Sequence, residues 1–203
     1  MRSSNIITIT GAGSARTPAL VGSLVKLKDR FPLKKIIFYD IDNERTSKME
    51  DYIRLVLKTY SNETEVVFTT DPDVAYEKTD FVFCQMRVGK NEMRSFDEKI
   101  PLKHGLVGQE TCGPGGFAYG MRSLGAMVEM VNQVRKHSKD TWILNYTNPA
   151  AIVALGLDKV FPDDKRILNL CDQPYSLMRS YAKILGVCLL YTSDAADDLL
   201  CVD

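Results

Sequence analysis

A cysteine and an aspartate, Cys171 and Asp172, stand side by side where the apolar run RILNLC ends, just before Pro174. A thiolate is a good ligand for a soft or borderline divalent metal ion, and a neighbouring carboxyl group can give or take a proton. An alternative is equally open on spacing alone, a cysteine buried in the core followed by an aspartate that opens a helix. The pair is therefore a candidate metal-binding and acid–base site.

The segment GAGS at residues 11–14 separates a β-rich run from an amphipathic helical pattern, as in dinucleotide-binding proteins. Glycines let the backbone approach a pyrophosphate, and the helix N-terminus supplies free N–H groups. Asp40 ends the second predicted strand, where a carboxylate accepts hydrogen bonds from the ribose of NAD and repels the 2′-phosphate of NADP. Because Arg16 replaces the third glycine of the motif, a tight turn with Asp40 as a helix cap is the alternative. The candidate cofactor-binding residues are Gly11, Gly13, Ser14 and Asp40.

The segment 86–116 holds many glycines and charged residues and few periodic apolar ones, which predicts a long loop at the carboxyl edge of the sheet. Open α/β sheets bind ligands at that edge, and arginine can hold a phosphate group through paired hydrogen bonds. For any one arginine alone, a solvated surface position is the better interpretation. The charged residues between 85 and 123 include Arg87, Lys90, Arg94, Lys99, Lys103 and Arg122, with Asp97, Glu98 and Glu110 among them.

Apolar runs alternate with helical patterns along the chain, which predicts βαβ units and a mostly parallel sheet covered on both faces. The runs lie at 5–10, 34–40, 65–70, 80–85, 141–146 and 166–171. Their carboxyl ends share one edge, so we expect the glycine turn, Asn145, Asn148 and Cys171 to point towards the same rim. The predicted fold class is α/β, a Rossmann-like doubly wound sheet.

Composition excludes some classes of partner. The 203 residues carry 26 basic and 26 acidic side chains, which argues against nucleic-acid and anionic-membrane binding. No apolar run reaches the roughly 20 residues of a membrane span, and no signal peptide is expected. Five cysteines without paired spacing favour free thiols and a cytoplasmic location.

The last residues differ in character from the rest of the chain. The DNA of a common transposase-type sequencing adapter translates to CLLYTSDAAD, which is identical to residues 188–197. We therefore predict that 188–203 is a non-native tail, and that the natural segment extends to about Val187. A genuine, divergent C-terminus is the alternative.

Four segments together resemble glycoside hydrolase family 4, whose members are NAD- and divalent-metal-dependent glycosidases. They are GAGSARTPAL, the long run from RVGKNEMRS to FAYGMRS, LNYTNPAAIVA and CDQP, and the resemblance covers about residues 5–187. QETCGPGG, AYGMRS and the Cys-Asp-x-Pro box are most similar to members that hydrolyse 6-phospho-α-glucosides such as maltose 6′-phosphate. The resemblance implies an NAD-binding domain over 1–187 with the substrate domain truncated, manganese as the metal, a sugar 6-phosphate substrate and a full-length homodimer or homotetramer.

The resemblance also implies redox-assisted elimination. NAD takes a hydride from C3 of the sugar, the C2 proton becomes acidic, and a metal ion polarises the carbonyl group. A base removes the C2 proton, the C1–O bond breaks with help from an acid, water adds, and the hydride returns to C3.

The same resemblance gives roles to individual residues. Cys171 would be a metal ligand, and Asp172 the acid that protonates the leaving oxygen. Asn148 would contact the substrate near the metal, and Arg94 would hold the 6-phosphate or neighbouring hydroxyls. Glu110 matches a family acid near the site; we group it with the substrate-binding residues, although the resemblance does not define its role.

The family's second metal-ligating histidine and its tyrosine base have no match in this chain. We therefore expect the 203-residue chain to be inactive, and to aggregate or fold poorly through exposed apolar surface. Two alternatives stay open: a lactate- or malate-type 2-hydroxy-acid dehydrogenase, and a non-catalytic NAD-binding module that is independent of manganese.

Overall fold

The centre of the protein is a parallel β-sheet, seen in a computed structural model that describes residues 4–60 and 63–188. The strands are β1 Asn5–Thr10, β2 Leu33–Tyr39, β3 Glu65–Thr69, β4 Phe81–Cys84, β5 Trp142–Asn145 and β6 Ile167–Asn169. Their order across the sheet is β3-β2-β1-β4-β5-β6, and the pairs are parallel. The order reverses between β1 and β4, so the predicted doubly wound fold is confirmed, with its ligand-binding crevice at the carboxyl ends of these two strands.

Helices cover both faces of this sheet. They are α1 Thr17–Lys26, α2 Asn43–Thr59, α3 Pro72–Tyr76, α4 Lys90–Leu102, α5 Gly113–His137 and α6 Ala150–Val160, and α7 Gln173–Leu185 follows the last strand. Successive residues of β2 point to opposite faces, where Ile36 joins a core with α1 and α2, and Ile37 joins a core with α3, α5 and α6. Each core contains fully buried side chains such as Ile53 and Ile143. Truncating either to alanine would cost about 2–5 kcal/mol of stability.

The prediction of one long loop over 86–116 is wrong. Helix α4 occupies Lys90–Leu102, and α5 already begins at Gly113. The buried positions of α4 are Asp97 and Pro101, so an acid and a proline occupy the inner face where an apolar stripe would have revealed a helix. Its N-cap is Gly89, whose φ is 84° and which offers no side-chain cap.

The chain divides into two compact units, Met1–Asn169 and Leu170–Asp203. The second unit contains α7, which ends at Gly186 with a left-handed φ of 66°. Several large apolar side chains of this unit are exposed: Tyr175, Leu177, Tyr181, Ile184 and Leu185. Apart from Cys188, the predicted tail lies outside the described residues, so the boundary near Val187 stays a prediction.

Cys84, Cys112 and Cys171 are free thiols, as expected. The expectation was wrong for Cys188, which is disulfide-bonded. Pairing depends on the distance between thiols in the fold, which sequence spacing does not reveal. None of the helices in the described ranges combines the length and apolar character needed to cross a membrane.

Candidate functional site

The turn after β1 requires glycine at its first position. Gly11 has a φ of 81°, which side-chain-bearing residues rarely adopt. A Cβ at Gly11 would also lie 3.0 Å from the carbonyl oxygen of Gln85 and 3.2 Å from Cα of Met86. These atoms belong to the backbone just after β4, so the turn after β1 packs directly against the end of the neighbouring strand.

The second glycine of the turn binds the acid that directly follows β2. The N–H of Gly13 donates to Oδ2 of Asp40 at 2.8 Å, and the N–H of Asp42 donates to Oδ1 at 3.0 Å. A Cβ at Gly13 would meet that same Oδ2 at 3.0 Å and Cβ of Arg45 at 2.8 Å. Each oxygen of Asp40 keeps a lone pair after accepting one backbone N–H, so the carboxylate fits a ribose diol.

Asp40 is not a helix cap, so that alternative is wrong. Asp42 caps α2 instead, because its Oδ1 accepts the N–H of Arg45 at 3.2 Å. The other oxygen of Asp42 accepts from Nζ of Lys90 at 2.9 Å, a bond that holds the pKa of the Asp42 carboxyl below its usual value. The connection after β2 is thereby tied to the first residue of α4.

Helix α1 begins directly beyond the glycine turn, at Thr17. The hydroxyl oxygen of Ser14 accepts the N–H of Arg16 at 3.2 Å, and the hydroxyl of Thr17 donates to the carbonyl of Ala12 at 2.8 Å. The turn is therefore braced at the helix N-terminus, whose partial positive charge favours a phosphate group. Together with Asp40, these residues fit NAD.

Two of the predicted substrate residues meet between α4 and α5. Nη1 of Arg94 lies 3.2 Å from Oε2 of Glu110, and Nε of Arg94 bonds Glu98 at 2.8 Å. The other oxygen of Glu110 accepts from Nη2 of Arg87 at 2.5 Å. Glu110 is thus held by two guanidinium groups, one from the segment after β4 and one from α4. We call the side chains of Arg87, Arg94, Glu98 and Glu110 the charged cluster.

Asn148, the third predicted substrate residue, follows β5 and precedes α6, and it is half-buried. Since β5 adjoins β4 in the sheet, Asn148 lies after the carboxyl end of the neighbouring strand. Within the described ranges, no hydrogen bond or ion pair joins Asn148 to Arg94 or Glu110. The neighbouring Asn145 is engaged in the fold, because its side chain bonds Asn169 and the N–H of Thr147, each at 2.8 Å.

Sequence reasoning missed Tyr119, a buried residue of α5 that lies under the same charged cluster. The guanidinium carbons of Arg87 and Arg122 lie 5.5 and 5.9 Å from its ring centroid. Burial is the main cause of the raised pKa of its hydroxyl. The helical spacing of Tyr119 and Met127 places them on one face of α5 and indicates burial, but it does not reveal the contact with Arg87.

Cys171 and Asp172 belong to the second unit. The expected strand ends at Asn169, two residues before Cys171, and the Cys171 thiol is free and exposed. The alternative of a buried packing cysteine is therefore wrong. Asp172 stands at the N-cap of α7 but makes no side-chain capping bond, which leaves its carboxyl group available for chemistry.

A complete metal site is not formed by these residues alone. In the described parts of the chain, no group of three or more His, Cys, Asp or Glu side chains could hold a metal ion. His137 lies 2.9 Å from Asp73, far along the chain from Cys171, and His104 is exposed. Cys171 can therefore supply one ligand to a metal ion, but the described residues do not supply the others.

The sheet order and the glycine turn closed on Asp40 define the class of dinucleotide-binding α/β domains. The model of one particular family, the family 4 glycosyl hydrolases, matches residues 6–187. This match covers most of the chain, and the chain belongs to that family. The expectation from sequence resemblance is confirmed, and the alternative of a 2-hydroxy-acid dehydrogenase is wrong.

Similar proteins add detail within the family. The phospho-alpha-glucosidase PagL of Clostridium acetobutylicum is 49% identical over 182 residues, which are 89% of this chain and 41% of PagL. A crystal structure of a 6-phospho-alpha-glucosidase from gut microorganisms, in complex with NAD and Mn²⁺, has a TM-score of 0.88 and 46% identity, covering 92% of this chain and 43% of that one. A second such structure, with NAD and glucose-6-phosphate, has a TM-score of 0.88 and 42% identity, covering 92% of this chain and 44% of that chain. This chain spans about two fifths of the length of the curated relatives it matches.

Proposed function

We propose that this chain is the NAD-binding part of a 6-phospho-α-glucosidase. The whole enzyme would hydrolyse substrates of the maltose 6′-phosphate type with NAD and a divalent metal ion, for which Mn²⁺ is our first choice. The observation that carries the proposal is the Asp40 carboxylate, fixed at the glycine turn by the Gly13 N–H at 2.8 Å. Family membership over residues 6–187 and the NAD, Mn²⁺ and glucose-6-phosphate complexes of similar proteins support it.

In this proposal the glycine turn binds the cofactor. Gly11, Gly13 and Ser14 receive the pyrophosphate at the N-terminus of α1, and Asp40 accepts hydrogen bonds from the adenosine ribose. A carboxylate at that place repels a 2′-phosphate, so the site selects NAD over NADP. Bound NAD would supply the hydride acceptor for C3 of the sugar and later return the hydride.

The charged cluster orients the sugar phosphate. Arg94 keeps part of its guanidinium exposed while it bonds Glu98 and Glu110, so it can also hold an anionic oxygen or a hydroxyl group. Glu110 offers carboxylate oxygens to sugar hydroxyls, and Asn148 offers an amide at the end of the neighbouring strand. These positioning roles are supported by the contacts of Arg94 with Glu110 and by their match to the family's segments.

The exposed thiol of Cys171 contributes one metal ligand as a thiolate, and Asp172 protonates the leaving oxygen. The carboxyl of Asp172 supports this role, since it makes no capping bond at the N-terminus of α7. The remaining metal ligands must come from outside the described residues or from the substrate.

A cytoplasmic location and assembly of the whole protein into a homodimer or homotetramer complete the proposal. The free thiols of Cys84, Cys112 and Cys171 support a reducing compartment, and the disulfide-bonded Cys188 belongs to the tail that we propose is non-native. Light scattering coupled to gel filtration of the whole protein tests the assembly, and a monomer would contradict it.

The activity is tested on the whole protein with 4-nitrophenyl 6-phospho-α-glucoside. We expect release of nitrophenol that requires both NAD and Mn²⁺, with little turnover of the β anomer. Cys171→Ser should abolish the Mn²⁺-dependent activity while leaving NAD binding intact, and the 203-residue chain alone should be inactive. Turnover by the chain alone, or by the whole protein without NAD, would contradict the proposal. NAD binding that is independent of Mn²⁺, with no turnover of either anomer, would favour a non-catalytic NAD-binding module.

We further propose that 188–203 is a non-native tail. A long sequencing read of the source DNA across the codons for 180–203 tests this. A reading frame that continues differently after Val187 is expected, and DNA that encodes CLLYTSDAADDLLCVD would contradict it.

A further inference from the structure

The contacts of Arg87 set it apart from the other charged residues of this region. Its Nη2 donates to Oε1 of Glu110 at 2.5 Å, while Arg94 holds the opposite oxygen at 3.2 Å. Its guanidinium carbon also lies 5.5 Å from the centroid of Tyr119. One side chain thus joins Glu110 to the buried Tyr119 of α5.

The side chains beneath Arg87 are buried. Tyr119 is only 4% exposed, and a cation near an aromatic ring is held more firmly where water is excluded. Beside Tyr119, Arg122 of α5 grips the 6%-exposed Asp97 of α4 through both terminal nitrogens. This ion pair, whose acid is buried, joins α4 to α5 beside the ring on which the Arg87 guanidinium lies.

The backbone brings Arg87 to this place. It lies three residues beyond β4, and Gly89 then turns the chain into α4 with a φ of 84°. A Cβ at Gly89 would meet Met93 at 2.5 Å and Nε of Arg122 at 3.3 Å, so the turn is closed on the same cluster. The arginine is therefore anchored by a strand end and a tight turn, and not by a mobile surface loop.

The hydrogen bonding of Arg87 is incomplete in a way that stability does not explain. Its other terminal nitrogen, Nη1, is buried and has no hydrogen-bond partner among the described residues. Leaving a buried donor unsatisfied is unfavourable, so such groups occur where another requirement outweighs the cost. Here that requirement is the placement of the guanidinium against Glu110.

We propose that Arg87 is a positioning residue for the sugar-binding part of the site, and that it acts through Glu110. This inference rests on the proposed function. With Arg94, it fixes both carboxylate oxygens of Glu110, so that the acid meets the sugar hydroxyls in one orientation. Loss of this orientation affects turnover, because small misplacements of positioning groups reduce rates by about 100-fold.

The test uses the whole protein and the variants Arg87→Met, Arg87→Lys, Glu110→Gln and the double variant. We expect Arg87→Met to lower kcat/KM for 4-nitrophenyl 6-phospho-α-glucoside about 100-fold, mainly through kcat, and to leave the Kd for NAD within twofold. Arg87→Lys should recover about tenfold of the loss, since an ammonium group can still bond one oxygen of Glu110. In the Glu110→Gln background, adding Arg87→Met should cost less than about threefold, because the two residues act as one unit.

Arg54→Met is the matched control. Arg54 also pairs with a carboxylate, Glu50 at 2.7 Å, and lies 5.7 Å from an aromatic centroid, that of Phe68, but it is on the exposed side of α2. Its kinetic constants should stay within twofold of the parent protein.

Three outcomes overturn the inference. The first is unchanged kinetics in Arg87→Met. The second is that the losses of kcat/KM in Arg87→Met and Glu110→Gln multiply in the double variant. The third is that Arg87→Lys loses both NAD binding and its fold. An inactive parent protein overturns the proposed function itself, and this inference with it. An active parent with an unaffected Arg87→Met overturns this inference alone.

Discussion

Replacing Gly11 with alanine tests two requirements at the first residue of the glycine turn, a left-handed backbone conformation and the absence of a side chain. The left-handed φ of 81° costs a residue with a side chain about 1–2 kcal/mol. The added methyl group would also stand 3.0–3.2 Å from backbone atoms of Gln85 and Met86, and overpacking of this kind adds about 1–3 kcal/mol. We therefore expect Gly11→Ala to lower the free energy of unfolding by about 2–5 kcal/mol.

Gly105→Ala is the matched control. Gly105 also has a left-handed φ, of 70°, but nothing lies within 4 Å of the place its Cβ would take. Only the backbone cost of about 1–2 kcal/mol should appear. Urea unfolding in the Ile184→Lys background, which should reduce aggregation of the chain, measures both variants through the fluorescence of its single tryptophan, Trp142. We also expect Gly11→Ala, but not Gly105→Ala, to weaken NAD binding at least about tenfold by calorimetry. Equal destabilisation by the two substitutions, or unchanged NAD affinity in Gly11→Ala, would refute the steric reasoning.

Three further predictions concern charge and exposed surface. Asp40→Ser should shift the ratio of NAD to NADP affinity towards NADP at least about tenfold, because it removes the carboxylate that repels a 2′-phosphate. An unchanged ratio in equilibrium binding would show that Asp40 does not face the ribose. Hydrogen bonding to Lys90 lowers the pKa of Asp42, so the stabilisation from this pair is present above the unfolded pKa of about 4 and disappears as pH falls through the folded value. In the Ile184→Lys background, the chain with Lys90 should therefore have a higher urea midpoint than Lys90→Met at pH 7 and the same midpoint at pH 2. A difference that persists at pH 2 would contradict the assignment. The 203-residue chain should aggregate, as measured by light scattering. Ile184→Lys should reduce the scattering, because the side chain of Ile184 is 77% exposed. A parent chain as soluble as Ile184→Lys would argue against apolar exposure as the cause.

The sheet could be predicted from sequence because its strands are covered on both faces. Continuous apolar runs such as β2 and β4 are distinctive, and the alternation with helices fixes a parallel order. The glycine turn and its acid were likewise visible, since Gly11, Gly13 and Asp40 each meet a local physical requirement that only a few residue types satisfy.

Helix α4 and the cluster around Glu110 could not be predicted in the same way. The inner face of α4 carries Asp97, whose burial is compensated by Arg122 from another helix, so the apolar periodicity that marks a helix is interrupted. The contacts of Arg87 with Glu110 and Tyr119 join segments that are more than twenty residues apart. A local pattern does not contain such contacts.

The proposed function requires that the whole protein cleave a glycosidic bond through oxidation at C3 and loss of the C2 proton. The most direct test is hydrolysis of maltose 6′-phosphate by the whole protein in deuterated water, with NAD and Mn²⁺ present, followed by NMR of the released glucose 6-phosphate. The account predicts deuterium at C2, because the proton removed there is replaced from solvent. Product formed at full rate with protium retained at C2 would contradict it.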